Sequence, residues 1–496
     1  MPAAGTRTGR RTGGRYPALT AAGVAILLAA WALASVVAGT YFVPPPWTTV
    51  VDTAVLLAGR FAWSQILITV LRVCIGFAVG FLAGVALGIA IGARRGLEAL
   101  FRPAVLFFQG MPPLLWAIPL VALMGIGHLP AILVIALITF PVVAVTIGEG
   151  MSSLPNELGE MLSVFAPGFS PRLRELILPH LAPFLAASLK AGVVLAVKAS
   201  VTAEYFGAND GIGFQIQAAY MSIRIRSLFA WAVVLVLLIT VANRLLPQIR
   251  RLRPLVERLF IETGPLVCRI EDERALDRAL RADGKTSRGG IQLRSVSFAY
   301  PRQPFLLNDL SLVVPPGGIV VVRGDSGAGK TTLLKLTAAL LRPAKGSITR
   351  PARIAFVFQD DRLLPWRSVL ENVALPLRYQ GYPEREALCF ASILSRQAGL
   401  DGDGKTRPEE LSGGMKRRAA LARCFARLPD AILLDEPFSG LHREARRELW
   451  KWFLAMHARR PVPTVIVTHF PEEVRRRGSP VVTLRGRPAR LEVTRS

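Results

Sequence analysis

The string GDSGAGKTT, at residues 324–332, brings three glycines, a lysine and two threonines into one short loop. A strand pattern, GGIVVVRG, leads into the string, and a helix pattern, TTLLKLTAALL, follows it. In this context backbone N–H groups converge on phosphate oxygens, because glycines remove the obstructing Cβ atoms. We therefore predict a nucleotide-phosphate site in which Lys330 contacts the β- and γ-phosphates and Thr331 binds Mg²⁺. The rest of the loop contributes Gly324, Ser326, Gly327, Gly329 and Thr332.

Polar residues that could act with this loop end two other apolar strand patterns. AILLDEP carries two carboxylates at its end, of which Asp435 suits Mg²⁺ binding. The second, Glu436, is placed to orient or deprotonate a water molecule. TVIVTH ends in His469. A single histidine there is usually structural, but strand ends on one edge of an α/β sheet converge on the ligand.

Long runs without Asp, Glu, Lys or Arg occupy the first half of the 496-residue chain. A helix that crosses a bilayer takes roughly 20 apolar residues, so each run is long enough for one crossing and one run for two. After about residue 250 no such run occurs. We predict an all-α membrane domain followed by an α/β phosphate-loop domain. The membrane domain should have about six spans, near residues 18–41, 68–93, 103–125, 130–148, 184–206 and 227–246.

Part of the net charge of +26 lies near the ends of these spans. Arginines cluster before the first span, between the second and third, and after the last: Arg7, Arg10, Arg11, Arg15, Arg94, Arg95, Arg102, Arg250, Arg251 and Arg253. These positions follow the positive-inside bias if the N-terminus and the soluble domain are both cytoplasmic. The first apolar run is too long for a signal peptide and shows no small-residue cleavage site. We therefore predict a multi-pass protein of the cytoplasmic membrane that does not bind nucleic acid.

A segment of about 35 residues, near 151–183, separates the fourth and fifth predicted spans on the cytoplasmic side. Apolar residues recur in it at helical spacing, at Leu158, Met161, Leu162 and Phe165. APGFSP interrupts this pattern and RLRELIL resumes it. We predict two short helices joined by a turn. Their apolar face needs a partner, which is either the lipid headgroups or a groove on the soluble domain.

The string LSGGMKRR places three further anion-binding groups at a predicted helix start, namely Ser412, Gly413 and Gly414. With this string and the phosphate loop, residues 291–496 resemble the nucleotide-binding domain of an ABC transporter. The resemblance implies that two such domains enclose two ATP molecules, each meeting one phosphate loop and the opposite LSGGM string. It also implies that Tyr300 stacks on adenine and that Gln359 contacts Mg²⁺ and the attacking water. By the same resemblance, His469 contacts the γ-phosphate.

The chain also resembles a narrower class of transporters. VFQDDRLLPWRSVLENV is similar to the ATPases of nitrate, sulfonate and taurine importers. AEYFGANDGIGFQI and the segment near 151–183 resemble binding-protein-dependent importer permeases, the latter through Glu160, Ala166, Leu176, Leu178 and Pro179. The resemblance implies ATP-driven import of a small, sulfonate-, taurine- or nitrate-like anion by a homodimer. A separate extracytoplasmic solute-binding protein would deliver the solute.

Most relatives keep permease and ATPase on separate chains, whereas here the two domains are predicted to be fused. The expected order is a basic cytoplasmic N-terminus at 1–17, a permease domain at 18–249, a charged linker at 250–290 and the ATPase domain at 291–496. In this arrangement the ATPase domain drives the permease. The loop near 151–183 is then the element that transmits its motion.

We expect this loop to dock on the ATPase beside the segment from Gln359 to Trp366. The predicted apolar anchors are Phe165, Phe169 and Leu173. The carboxylate of Glu160 should pair with an arginine of the ATPase.

Two strings depart from the family pattern. The loop has Met161 and Leu162 where alanines are usual and Ala166 where glycine is usual, although the spacing is kept. After Glu436 the chain reads SGLH, so His442 occupies the place of an aspartate that helps two ATP sites communicate. Because Glu436 is retained, we still expect ATP hydrolysis. We expect it to be slower or less tightly coupled to transport.

Three ionisable residues fall within the fifth predicted span: Lys190, Lys198 and Glu204. Lys190 can snorkel towards the cytoplasm, and Glu204 is expected near the outer end. Lys198 lies deeper. It either lines the pathway of an anionic solute or pairs with a carboxylate or carbonyl group.

Three rival functions share parts of this pattern. An ABC exporter also joins a membrane domain to an ATPase, but lacks the loop from Glu160 to Pro179. A DNA-binding ATPase would not carry uncharged runs that only lipid explains. A membrane-anchored ATPase that regulates a partner without translocation remains an alternative, because of the substitution at His442.

Overall fold

The computed structural model describes residues 16–249, 268, 270–282, 289–469, 480–486 and 488–494. The chain forms two compact units: residues 1–154 with 181–261, and residues 155–180 with 262–496. Most of the segment that joins the fourth and fifth predicted spans therefore falls in the second unit. We call the two units the membrane unit and the ATPase unit, after the functions predicted from the sequence. The predicted N-terminal segment lies outside the described residues except for Tyr16 and Pro17. Of the predicted linker, residues 268, 270–282 and 289–290 are described.

Helices account for nearly all of the described first half of the chain. In chain order they are α1 (Tyr16–Ala38), α2 (Pro46–Ala58), α3 (Arg60–Ala93), α4 (Arg95–Gly110), α5 (Pro113–Met124), α6 (His128–Ser152), α7 (Asn156–Phe165), α8 (Phe169–Pro171), α9 (Leu178–Gly207), α10 (Ile212–Met221) and α11 (Ile225–Ile249). A π-helical turn, Arg172–Ile177, joins α8 to α9. Within the described residues, five helices are long and apolar enough to cross a membrane, or six if α4 and α5 count as one span.

The predicted third span, 103–125, is not one straight helix. It is divided between α4 and α5, which are bent by 92° relative to each other. The break falls at Met111 and Pro112, which are both extended, with ψ of 124° and 149°. Two consecutive prolines explain the break, because a proline disfavours helical backbone in the residue before it. The short helices α2 and α10 were also not predicted.

Glycines on one face of α3 form a seam against α6. They recur every four residues, at Gly76, Gly80, Gly84, Gly88 and Gly92, and we call them the glycine seam. A Cβ atom on Gly84 would lie 2.6 Å from the carbonyl oxygen of Phe140, and one on Gly92 would lie 2.6 Å from that of Gly148. Side chains on this face would therefore separate the two helices. Small residues at such spacing allow the close backbone approach that stabilises helix pairs in lipid.

The ATPase unit contains two sheets. One is antiparallel, in the order β2-β1-β4, and consists of β1 (Ile291–Ala299), β2 (Phe305–Val314) and β4 (Lys345–Thr349). The other has the order β5-β6-β7-β3-β8-β9 and consists of β3 (Ile319–Gly324), β5 (Ile354–Val357), β6 (Ala431–Asp435), β7 (Thr464–Val467), β8 (Val481–Arg485) and β9 (Arg490–Thr494). All neighbouring strands of the second sheet are parallel except β8 and β9. Strands β5, β6 and β7 are buried at every residue and β3 from Ile319 to Val322, as strands inside a parallel sheet require.

Besides α7 and α8, six α-helices of this unit lie in its described residues. They are α12 (Ile270–Ala282), α13 (Lys330–Thr337), α14 (Val369–Arg378), α15 (Glu384–Gln397), α16 (Gly413–Ala426) and α17 (Arg443–Arg459). The first, α12, is a helix in the predicted linker that the sequence analysis did not predict. The helix after the phosphate loop is shorter than its apolar pattern, because the backbone leaves the helical region at Ala339, with φ of 57°.

Candidate functional site

Four adjacent strands bring the predicted catalytic residues to one edge of the sheet. In the order β5-β6-β7-β3 these strands are parallel, so their carboxyl ends meet at the same edge. Gln359 follows β5, Asp435 ends β6, and His469 follows β7. The phosphate loop follows β3 and leads into α13, which begins at Lys330. This edge is where α/β folds of this kind bind their ligands.

The phosphate loop has a backbone that requires glycine. Gly327 and Gly329 have φ of 79° and 92°, and a Cβ atom on Gly329 would lie 2.9 Å from the side chain of Leu307. Lys330 is buried, and its Nζ atom donates to the carbonyl oxygens of Gly324 and Asp325 at 2.7 and 2.9 Å. The ammonium group is thus held at the mouth of the loop, where it can exchange these carbonyls for phosphate oxygens.

Two oxygen ligands suited to a hard cation stand beside the loop. Asp435 is buried, and burial raises the pKa of its carboxyl above the ordinary value, although a hydrogen bond with Thr331 acts in the opposite direction. A buried carboxylate is a group that a bound cation would stabilise. Mg²⁺ prefers carboxylate and hydroxyl oxygens together with phosphate, so this pair fits it.

Glu436 stands in a strained position directly after β6. Its φ is 46°, a left-handed conformation that costs free energy for a residue other than glycine. Its backbone N–H donates to the carbonyl oxygen of Val467 at 2.9 Å, which holds this turn. Its Oε1 atom lies 2.9 Å from Nε2 of His469. The predicted base and the predicted γ-phosphate contact are therefore brought together.

The other residues predicted to bind the nucleotide, Tyr300 and the group Ser412 to Gly414, lie in two separate places. The hydroxyl of Tyr300 lies 3.1 Å from the Thr332 hydroxyl, and its ring packs edge-on against Phe298. Ser412 is the N-cap of α16 and accepts a hydrogen bond from the backbone N–H of Met415, at 3.3 Å, while Gly413 and Gly414 begin the helix. Ser412 and Gly413 are exposed, and no hydrogen bond among the described residues joins this cap to the phosphate loop of the same chain.

His442 caps the N-terminus of a helix, which is a role that aspartate also fills. It is the N-cap of α17, and its Nδ1 atom accepts a hydrogen bond from the backbone N–H of Ala445 at 3.4 Å. Aspartate, serine and asparagine are the usual residues at such a cap because their side chains satisfy an unpaired helix donor. The substitution therefore preserves the start of α17.

The helix α7 packs on the ATPase through charged contacts on the helix that begins with the phosphate-loop lysine. Glu160 accepts from Lys335 of α13 and from Arg362, each at 2.8 Å. Burial acts to raise the pKa of Glu160, but hydrogen bonds and charge from Lys335 and Arg362 bring it below its ordinary value. This contact confirms the predicted pairing of Glu160 with an arginine, and it adds a lysine that was not predicted.

A second charged contact lies in the π-helical turn. Glu175 is buried, and its carboxylate accepts from Arg367 at 2.9 and 3.2 Å and from the Tyr379 hydroxyl at 3.1 Å. Its carbonyl oxygen accepts from the indole N–H of Trp366 at 2.9 Å. Burial, followed by the charge of Glu175, raises the pKa of Tyr379 to about 12, so this hydroxyl stays a donor at physiological pH.

The apolar anchor of this contact is Phe165, which is fully buried. The guanidinium of Arg423 lies 5.0 Å from its ring centroid, and Arg427 donates to its carbonyl oxygen at 2.9 Å. We call the contacts of Glu160, Phe165 and Glu175 with the ATPase the α7 seat. These contacts place α7 beside the segment from Gln359 to Trp366, as predicted, and identify a protein groove as its partner.

One predicted anchor is wrong. Phe169 is 75% exposed, because Gly168, with φ of 125°, turns the chain before α8 begins. The two residues that replace the usual alanines, Met161 and Leu162, are instead buried in this unit. Ala166 has φ of −141°, which needs no glycine, and this explains why alanine is accepted there. Pro179 is the second residue of α9, directly after the π-helical turn.

The membrane unit contains a buried charge network that sequence reasoning missed. Arg72 of α3 donates to Glu204 at 3.1 Å, to the carbonyl oxygen of Asp210 at 2.9 Å, and to the carboxylate of Asp210. It also contacts Nδ1 of His128, while Glu204 accepts from Thr69 and from the backbone N–H of Gly213. The signal was the position of Arg72 at the edge of an uncharged run, opposite the acidic residues of AEYFGANDGIG. Lys198, in contrast, is exposed on α9.

Known proteins resemble each half of the chain. The family described as binding-protein-dependent transport system inner membrane component matches residues 76–252, and the ABC transporter family matches residues 307–439. A taurine import ATP-binding protein of Rhizobium johnstonii is 38% identical over 207 residues, which are 40% of this chain and 79% of that protein. The chain belongs to the ABC transporter family. It is a multi-pass membrane protein with a permease domain and an ATPase domain on one polypeptide, and it couples ATP hydrolysis to transport.

Two further relatives show the range of solutes within this ABC transporter group. An aliphatic sulfonates import ATP-binding protein of Paracoccus denitrificans is 39% identical over 185 residues, which are 37% of this chain and 74% of that protein. A formylaminopyrimidine import ATP-binding protein of Halalkalibacterium halodurans is 37% identical over 185 residues, with the same coverage. The ATPase sequences are thus similar among importers of different solutes.

Proposed function

We propose that this ABC transporter imports a small anionic solute, such as taurine, another sulfonate or nitrate, with the ATPase on the cytoplasmic side. The observation that carries the proposal is the α7 seat. The loop characteristic of importer permeases contacts α13 through Glu160 and Lys335, and α13 begins with the phosphate-loop residue Lys330. A change in the position of this helix on nucleotide binding would therefore reach the permease loop directly.

The proposed chemistry is hydrolysis of the β–γ phosphoanhydride bond of ATP. Lys330 binds the phosphates, and Glu436 accepts a proton from the attacking water while Gln359 and His469 orient the reactants. Thr331, Gln359 and Asp435 would hold Mg²⁺, which supplies charge neutralisation at the phosphates. Tyr300 would stack on adenine. The strained backbone at Glu436 supports this assignment, because such strain is concentrated at functional sites.

Two copies of the chain are needed for this chemistry and for transport. Each copy carries one permease domain and one ATPase domain. Ser412, Gly413 and Gly414 form the capped start of α16, where Ser412 and Gly413 are exposed, and this leaves the helix start available to the ATP held by the other copy. We therefore propose a homodimer with two shared ATP sites, served by a separate extracytoplasmic solute-binding protein.

The anionic solute is supported by two observations. Two of the relatives are named for taurine and for aliphatic sulfonates, which carry a sulfonate group. Lys198 is exposed within a helix that can span the membrane, and a charged group at such a depth avoids lipid by facing protein or water. We propose that Lys198 lines the solute pathway.

The test is uptake into proteoliposomes that contain the purified chain and a solute-binding protein encoded beside it. Taurine, methanesulfonate, nitrate and formylaminopyrimidine form the panel, and Glu436→Gln is the matched inactive variant. We expect ATP-dependent uptake of one of the anions, lost together with hydrolysis in the variant. Hydrolysis without uptake of any solute would favour the regulatory ATPase, and uptake of formylaminopyrimidine alone would contradict the anionic solute.

A further inference from the structure

Arg417 of α16 lies against two segments of the nucleotide site. It is 6% exposed, and its guanidinium donates to the carbonyl oxygens of Phe358, at 2.9 Å, and Gln359, at 2.5 Å. Its Nε atom lies 3.2 Å from Oδ1 of Asp361, and its Nη2 atom lies 3.5 Å from the Ser439 hydroxyl. A single buried side chain thus contacts the segment after β5 and the segment after β6.

Backbone carbonyl groups that leave a sheet edge need other partners. Residues after Val357 no longer pair with β6, and their buried carbonyl groups would cost free energy if no donor replaced the strand. Arg417 supplies donors to Phe358 and Gln359. Six residues further along α16, Arg423 does the same for Asp361 and Arg362, at 2.9 and 2.8 Å. The path of this segment is therefore set by side chains of α16.

The second contact reaches the proposed base. The Ser439 hydroxyl donates to the carbonyl oxygen of Glu436 at 3.0 Å, so Arg417 connects the backbone of Gln359 to the turn that carries Glu436. These are the two residues proposed to orient and deprotonate the attacking water. A planar guanidinium can donate in several directions at once, whereas a lysine ammonium in this place would reach fewer of these acceptors.

We propose that Arg417 is a positioning residue for hydrolysis: it fixes Gln359 relative to Glu436 without touching the nucleotide. The assignment rests on the proposed roles of these two residues. A displacement of a reacting group by about 1 Å can reduce a rate roughly 100-fold, so the loss of Arg417 should act on turnover. It should leave the phosphate loop, and hence the binding of ATP, nearly unchanged.

The test compares Arg417→Gln and Arg417→Lys with Arg418→Gln in the full-length protein. Arg418 is the matched control, because it lies on the same helix but donates to the carbonyl oxygen of Ala398 and to Glu448. We expect Arg417→Gln to lower kcat by about 10- to 100-fold with the KM for ATP within about threefold of wild type. Arg417→Lys should recover part of kcat, and Arg418→Gln should keep it.

Three results would overturn the assignment. One is a kcat of Arg417→Gln close to that of wild type. Another is a parallel loss of kcat and thermal stability in the Arg417 and Arg418 variants, which would indicate a structural role. The third is a loss of kcat on Arg417→Gln that is as large in a Gln359→Ala background as in wild type. A residue that acts through Gln359 should cause little further loss once the Gln359 side chain is removed. A wild-type protein that hydrolyses no ATP would instead refute the proposed function, so the two failures are distinguishable.

Discussion

The glycine seam of the membrane unit and the α7 seat of the ATPase unit hold helices in opposite ways. In the seam, α3 and α6 approach until a Cβ atom on Gly84 would lie 2.6 Å from the carbonyl oxygen of Phe140. In the seat, buried or half-buried carboxylates of Glu160 and Glu175 meet lysine, arginine and tyrosine donors. The glycine seam depends on the absence of side chains, whereas the α7 seat depends on a few side chains that form ion pairs and hydrogen bonds.

The difference follows from the surroundings and the task of each contact. Lipid provides no hydrophobic drive to bring helices together, so close backbone packing must hold α3 against α6. A seam of this kind tolerates little displacement. Ion pairs with arginine are geometrically specific, and removing one partner of a buried pair is far more costly than removing a surface charge. Such a contact suits an element that, as proposed, follows the motion of the ATPase in one defined orientation.

Breaking the seam should have the largest effect. We expect Gly84→Leu to prevent stable folding of the membrane unit, because the leucine would need space that the backbone of α6 occupies. Gly84→Ala should destabilise by about 1–3 kcal/mol. Gly23→Leu is the control, since a Cβ atom on Gly23 meets nothing within 4 Å. The yield of folded protein from membranes and its thermal unfolding measure these effects. Normal yield and stability of Gly84→Leu would contradict the seam.

Breaking the buried pair of the seat should have a smaller, local effect. Glu175→Ala leaves Arg367 buried, although Glu371 still pairs with it at 3.0 Å. The loss should therefore lie at the lower end of the range for a broken buried pair, about 3 kcal/mol, which lowers amide protection of residues 156–177 about 100-fold. Hydrogen exchange measured by mass spectrometry provides the readout, and the exposed Glu157 provides the control as Glu157→Ala. Equal protection in both variants would show that Glu175 does not hold the seat.

The half-exposed contact of Glu160 with Lys335 and Arg362 should have the smallest effect on hydrogen exchange. This effect should be lost only at acidic pH. The folded-state pKa of Glu160 is below its ordinary value of 4.5, so its stabilisation is fully present above that value and disappears as pH falls through the folded pKa. The difference in exchange between wild type and Glu160→Gln should thus be constant from pH 8 to about pH 6 and shrink below about pH 4.5. A difference that instead disappeared near neutral pH would contradict this pairing.

Local motifs explain why the meeting of the predicted nucleotide-site residues at one sheet edge could be predicted. The strand, loop and helix around Lys330 are adjacent in sequence, and the carboxyl ends of parallel strands meet, so Asp435 and His469 could be placed without coordinates. The need to bury an apolar helical face predicted a partner for α7, and the resemblance to importer ATPases placed that partner beside the segment from Gln359 to Trp366. The polar partner Lys335 could not be predicted, because the sequence does not show which residues of the helix after the phosphate loop face α7.

Other features depend on contacts between distant parts of the chain. The direction of Phe169 is decided by the left-handed turn at Gly168, which the helical periodicity of APGFSPRLRELIL does not reveal. The glycine seam was visible as a four-residue spacing from Gly76 to Gly92, but its partner α6 was not. Arg72 appeared as the boundary of an apolar run, whereas the structure makes it the centre of a buried network with Glu204 and Asp210.

The central claim is that the α7 seat couples ATP hydrolysis to the permease. The most direct test is the ratio of solute uptake to ATP hydrolysis in proteoliposomes for Glu160→Arg, with Glu157→Arg as the control and the solute identified from the panel above. The new arginine faces Lys335 and Arg362 and should repel the ATPase surface that Glu160 attracts. We expect uptake to fall at least about tenfold, equivalent to about 1.4 kcal/mol, with hydrolysis within about twofold of wild type. An unchanged ratio in Glu160→Arg would contradict the claim.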